Sequence, residues 1–125
     1  MLRLRALSRY LDRVRTGGVE SIMLFSTEGI LLTQSGIDTG NVKTAAAIVS
    51  NVWNMYQKQL QLNESESLQE IIVELTNGRL VFTRVASVII CIYGSKKISL
   101  ALMRAKMSLL AENLHEPLSL LTASN

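Results

Sequence analysis

LQEIIVELTNGRLVFTRVASVIICIY, residues 68–93, contains three β-rich runs in close succession. LQEIIVEL (68–75) and RLVFTR (79–84) flank Thr76-Asn77-Gly78, and Asn-Gly between two such runs is the strongest short-range hairpin signal. SVIICIY (87–93) is a third strand. Its apolar residues barely alternate with polar ones, which implies a sheet covered on both faces. Such a sheet needs helices on two sides, and the rest of the chain must supply them.

Upstream, VESIMLFS (19–26) and ILLTQS (30–35) form another hairpin across Thr27-Glu28-Gly29. Between the hairpins a helix is expected over residues 41–60, with Asp38 and Thr39 as capping residues ahead of it. LRLRALSRYLDRVR at the start places Leu4, Leu7, Leu11 and Val14 at helical spacing, and Thr16-Gly17-Gly18 stops that helix. After Gly94-Ser95-Lys96-Lys97, the residues Leu100, Met103, Met107, Leu110 and Leu114 trace one face of a last helix. Pro117 is expected to end it, because proline disfavours a helical residue before it. The order helix-ββ-helix-βββ-helix predicts a three-layer α/β fold with a five-stranded, mostly antiparallel sheet, residues 1–125 forming a single domain.

Composition narrows the functional classes. A chain of 125 residues that is 48% hydrophobic and 18% charged, with one proline, can bury a core and is not a disordered segment. The run VIICIY is far short of the roughly 18 apolar residues of a membrane span. No secretory leader pattern opens the chain and one cysteine cannot form an internal disulfide, so a reducing, intracellular setting is expected. The net charge of +3 is unevenly placed: Arg3, Arg5, Arg9, Arg13 and Arg15 against Asp12 give +4 over residues 1–15, leaving −1 for the remainder. Nucleic-acid binding would want stacking aromatics among these arginines, and only Tyr10 is present. A discarded presequence would not need the 4-7-11-14 stripe. A packed helix with a solvated basic face is the expectation.

Chemistry is sparse. Cys91 lies in the most apolar strand, where a buried, inert thiol is expected, and His115 reads as a cation-capable residue near a helix C-terminus. Neither has clustered partners, so neither a metal site nor a Cys-His nucleophile is implied. Glu64, Glu66, Glu70 and Glu74 read as a solvated loop and strand face, and the glycines match no phosphate-binding loop. No catalytic residue, metal or cofactor is assigned.

What stands out is AAAIVSNVWNMYQKQL, residues 45–60. At 100° per residue, Val42, Ala46, Val49, Trp53, Tyr56 and Leu60 form one stripe. Ile48, Val52 and Met55 extend it sideways, with Ala45 joining the two, to an arc of about 180° against the ≳100° of a helix with one buried face. The flank is surplus to covering one sheet and is expected to meet a partner. Burying its three side chains contributes about 5–9 kcal/mol gross, against an association cost of about 4–15 kcal/mol. An unpaired strand edge could supply the rest by strand addition.

MLRLRAL at the start, TGGV at 16–19, EG at 28–29, AAIVSNVW at 46–53, GRLVFTRVASVIICIYG at 78–94, AK at 105–106 and EPL at 116–118 together resemble the roadblock/LC7 family, relatives of longin and profilin-like domains. The resemblance spans the whole chain, is weakest over QKQLQLNESES at 57–67, and is similar in particular to the Ragulator branch of that family. It implies sheet order 2-1-5-4-3, with the strand at 68–75 on an edge, and pairing through that strand and the second helix into a ten-stranded sheet. Candidate partner-binding residues are then Ile48, Val52, Met55 and Gln59 on the helix and Leu68, Glu70, Ile72 and Glu74 on the strand. The implied partners are a sister roadblock subunit, a lipidated Ragulator scaffold subunit, Rag GTPases and MAP-kinase pathway components. The implied setting is the cytoplasmic face of late endosomes and lysosomes, with scaffolding for TOR-kinase activation. Met1-Leu2 and the terminal Ser124-Asn125 fit no lipidation motif, so membrane association is expected to be indirect. A homodimeric roadblock module acting on a small GTPase or a dynein motor is the alternative, and an enzyme or ligand sensor is disfavoured by the empty chemical inventory.

Overall fold

The computed structural model describes residues 4–36, 41–62 and 70–123. In chain order the elements are α1 (Leu4–Val14), β1 (Val19–Ser26), β2 (Leu31–Gly36), α2 (Asn41–Leu62), β3 (Ile71–Glu74), β4 (Gly78–Val85), β5 (Val88–Ser95) and α3 (Leu100–Ala123). The five strands form one sheet of order β2-β1-β5-β4-β3. Every pair in it is antiparallel. The predicted element order and edge position of β3 both hold. Leu68, Asp38 and Thr39, together with Glu64 and Glu66, lie outside the described residues.

Period-2 alternation sends successive side chains of the central strands to opposite layers. Val88, Ile90 and Ile92 of β5 join Ile22 and Leu24 of β1 and Val81 and Val85 of β4 under α1 and α3. Ile89, Cys91 and Tyr93, with Met23, Phe25, Leu80 and Phe82, lie under α2, which contributes Ala45, Val49 and Trp53. The uninterrupted apolar run of β5 is thus two interleaved half-cores. α1 packs through Leu7 and Leu11, as its stripe predicts. Its far side is clipped to β2: Arg15 Nε donates to Ser35 Oγ at 2.9 Å, and Ser35 Oγ donates to Asp12.

Two local readings need correction. Pro117 does not end α3, which continues to Ala123 with the proline inside it. A helical proline removes one hydrogen bond and crowds the carbonyl four residues back. Here Leu110, Leu114 and Leu118 are buried one turn apart against the sheet, so packing carries the helix through the defect. His115 consequently sits within the helix rather than at its C-terminus.

The hairpin at Asn77-Gly78 forms, but not through a left-handed Asn-Gly pair. Gly78 is the first residue of β4, and Leu75 N donates to its carbonyl at 2.8 Å across a Thr76-Asn77 turn. A Cβ on Gly78 would lie 2.4 Å from the Gly94 carbonyl oxygen, so the glycine serves a close strand approach. The left-handed conformation appears in the next hairpin instead. Ala86, between β4 and β5, has φ of 55° and is the one non-glycine with positive φ among the described residues.

Two consequences follow. An L-residue held at that φ costs about 1–2 kcal/mol. Ala86→Gly should therefore stabilise the domain by about 0.5–1 kcal/mol net and raise Tm by about 2–4 °C in a thermal melt. Cys91 is fully buried, and burial pushes its thiol pKa far up. An unfolded cysteine ionises near 8.5 and the folded one does not, so stability is retained below about pH 8.5 and lost above it. Denaturant titrations should show a decline of up to about 1.4 kcal/mol per pH unit between pH 8.5 and 10. That decline should be absent in Cys91→Ala, and iodoacetamide should leave the native thiol unmodified.

Candidate partner interface

The surplus apolar arc of α2 resolves into two parts. Ala45, Val49 and Trp53 point at the sheet and are buried, so the inward stripe is centred on Val49 and includes Ala45. Ile48 and Val52 are half-buried on its shoulder, and Met55, one turn further, is 66% exposed. The side chains of Tyr56, Gln59 and Leu60 lie outside the described residues, although the helix backbone runs on to Leu62. Arg84 of β4 lies over the Trp53 ring at 5.7 Å and also donates from Nε to the Ala86 carbonyl at 2.6 Å. This exposed arginine covers the sheet-facing stripe where α2 passes over β4.

β3 has a neighbour on one side only, β4, in the register Ile71↔Phe82, Ile72↔Val81, Val73↔Leu80 and Glu74↔Arg79. Leu75 N bonds the Gly78 carbonyl. In an antiparallel ladder hydrogen-bonding direction alternates along the strand, so Val73 and Ile71 also bond inward. The main-chain N–H groups of Ile72 and Glu74 therefore point away from the sheet, along its free edge.

This geometry divides the sequence-derived candidates. Ile71, Val73 and Leu75 pack in the same apolar cluster as Ile48 and Val52. Glu70, Ile72 and Glu74 belong to the opposite face. Glu70 meets Arg104 of α3 at 2.7 Å, and Glu74 meets Arg79 across the hairpin at 2.8 Å. Ile72, between the two acids, is 39% exposed. The structure thus brings Ile48 and Val52 together with Ile71 and Val73, which sequence reasoning missed. Glu70, Ile72 and Glu74 frame the other side of the same edge. Alternation in LQEIIVEL carried the missing signal, because acids at 70 and 74 turn residues 71, 73 and 75 toward the apolar layer.

Among the described residues no group of three His, Cys, Asp or Glu side chains could hold a metal, and no helix is long and apolar enough to cross a membrane. What the region offers chemically is a free set of backbone donors and acceptors bordered by apolar side chains. That is the chemistry of strand addition.

Comparison with known proteins bears on the same fold. The Roadblock/LC7 domain family matches residues 10–94. A Caenorhabditis elegans protein, the Ragulator complex protein LAMTOR2 homolog, is 31% identical over 121 residues, covering 94% of each chain. A Roadblock/LC7 domain from Streptomyces avermitilis superposes with a TM-score of 0.74 at 18% identity, covering 94% of this chain and 98% of its own. Myxococcus xanthus MglB gives the same TM-score, identity and coverage. At that identity the two bacterial structures speak to the fold alone. The family match, the full-length relative and the sheet order converge: this chain belongs to the Roadblock/LC7 family.

Proposed function

We propose that the chain is a non-catalytic adaptor subunit of a Ragulator complex. The observation that carries this reading is the LAMTOR2 homolog, whose likeness extends over 94% of both chains and so is not confined to a shared core. In this role the chain pairs with a sister roadblock subunit through the free edge of β3 and the adjoining flank of α2. The pair is gathered by a lipidated scaffold subunit and holds Rag GTPases at the late endosomal and lysosomal surface for amino-acid-dependent TOR-kinase activation. MAP-kinase pathway components are scaffolded on the same membranes. Membrane association is indirect, through the partners.

Physical support comes from the edge. A sheet edge with outward N–H groups is a pairing template unless it is blunted. β3 is short, is preceded by Glu70 and ends at Glu74, both acids engaged by arginines of the same chain. The apolar flank beside it falls short of the association cost alone, so strand pairing and helix contact must act together. Partner-binding residues in this reading are Ile48, Val52, Met55, Gln59, Leu68, Glu70, Ile72 and Glu74, now with Ile71 and Val73.

Val52→Asp or Met55→Asp should weaken pairing with the sister subunit by at least about 30-fold, because a carboxylate would be desolvated in the contact. Ile72→Pro removes an outward N–H and spares the β3–β4 ladder, so it should leave the monomer's circular dichroism unchanged while abolishing the dimer. Light scattering of the mixed subunits reads both. Dimer mass retained in all three variants would overturn the interface. A homodimer indifferent to added sister subunit would favour the homodimeric alternative.

A further inference from the structure

The link from β5 to α3 reads Ser95-Lys96-Lys97-Ile98-Ser99. Ile98 is buried and pins it, since a Cβ added to Gly18 or Gly94 would lie 3.5 or 2.6 Å from that side chain. Lys96, Lys97 and Ser99 are left exposed on the outside. The turn itself is weakly closed. Ile98 N donates to the Ser95 carbonyl and Lys97 N to Ser95 Oγ, both at 3.3 Å, longer than a typical N–H···O bond. Ser99 is the N-cap of α3: its Oγ accepts from Leu102 N at 3.1 Å and its carbonyl from Met103 N at 3.1 Å.

The two lysines stand at the unfavourable end of the helix. A helix N-terminus is the positive end of the dipole and favours anions. Yet Lys96 and Lys97 directly precede α3, and its first turn contains no acidic residue. Neither lysine is ion-paired to a described residue. A negative charge on Ser99 would turn this arrangement from a cost into a gain. The sequence marks the same hydroxyl independently. Of all the serines and threonines in the chain, only Ser99 has basic residues both three and two places before it; every other has at most one. An acidic substrate groove reads that pattern, because lysines so placed reach its carboxylates while the hydroxyl reaches the nucleotide.

We propose that Ser99 is a phosphorylation site for a serine/threonine kinase selective for basic residues ahead of its acceptor, and that the phosphate caps α3. In the transfer Ser99 Oγ attacks the γ-phosphorus of ATP, the bond from that phosphorus to the bridging oxygen breaks, and ADP leaves. The hydroxyl proton passes to the kinase's catalytic carboxylate. The phosphoserine brings a charge of about −1.5 to −2 and three acceptor oxygens. They lie at the first-turn N–H groups that a helix cannot pair internally, with Lys96 and Lys97 alongside. Neither lysine nor Ser99 is among the pairing residues of α2 and β3, so this site stands apart from that reading.

The test maps phosphate on the full chain in two samples. One is the complex isolated from cells with phosphatases blocked. The other is the purified chain incubated with ATP and the catalytic subunit of cyclic-AMP-dependent kinase, an enzyme of the stated selectivity. Mass spectrometry should place phosphate on Ser99 in both. Lys96→Ala with Lys97→Ala should lower kcat/KM for the transfer at least tenfold, whereas Lys96→Arg with Lys97→Arg should retain it. Ser99→Asn keeps a capping oxygen, so it should fold while accepting no phosphate at that position. The phosphorylated chain should melt about 2–4 °C above the unmodified one. Absence of phosphate from Ser99 in either sample, transfer indifferent to loss of both lysines, or an unchanged or lowered Tm would each overturn the proposal.

Discussion

The burial of β5 on both faces is the constraint from which the rest of the architecture follows. Val88 through Tyr93 have essentially no solvent contact, yet their side chains alternate between two sides of the sheet. A strand that apolar is stable only at the centre, with helical layers above and below and paired strands to left and right. β1 and β4 are those neighbours, and each repeats the alternation in its own residues. Once β5 is central, β2 and β3 must be edges, and the three helices must divide between two layers. The division of two against one makes the layers unequal.

That inequality shapes both exposed surfaces. α2 alone must cover a face built from Phe25, Leu80, Phe82, Ile89 and Cys91, which it does with a narrow stripe centred on Val49. Its broad apolar flank then has only the edge residues Ile71 and Val73 to lean on. The other face is covered by two helices, which leave a groove where they meet. The two edges are treated differently as well. β2 is held to α1 by the Asp12–Ser35–Arg15 chain, whereas β3 keeps its outward N–H groups free.

Much of this was legible in sequence because period and turn chemistry agree. The strand alternation, the 4-7-11-14 stripe and Gly17-Gly18, both at positive φ, fixed element order and the layers. Failures came where tertiary packing overrode a local rule. Pro117 signals a stop, but burial of Leu114 and Leu118 on either side of it exceeds the local cost. The hairpin at Asn77-Gly78 forms where expected, with the glycine giving room beside Gly94, while the one left-handed non-glycine among the described residues, Ala86, carries no sequence signal for it. The candidate surface was half legible. The helical wheel set Ile48, Val52 and Met55 beside an inward stripe centred on Val49 and Trp53, but it placed Ala46 rather than the buried Ala45 in that stripe, and it cannot say which face of a neighbouring strand the flank touches. That depends on the β3–β4 register, a long-range fact, and it places Ile71 and Val73 beside the helix rather than Glu70 and Ile72.

In the proposed pairing, the energetics make edge and flank one device. Full burial of three flank side chains would contribute about 5–9 kcal/mol gross, and with Ile48 and Val52 already half-buried the contact offers less than that, against an association cost of about 4–15 kcal/mol. Strand addition alone is similarly weak, since each backbone hydrogen bond contributes only about 0.5–1.5 kcal/mol net and β3 is four residues long. Combined, each pins the other's geometry. The strand ladder fixes the register at which a second helix meets Ile48 and Val52, and the helix contact excludes water from the ladder. A partner matching only one half would gain little, because it would meet the ordering cost of the interface with a fraction of its contacts. In the proposed pairing, selectivity for a partner of the same fold therefore follows from the weakness of the separate halves.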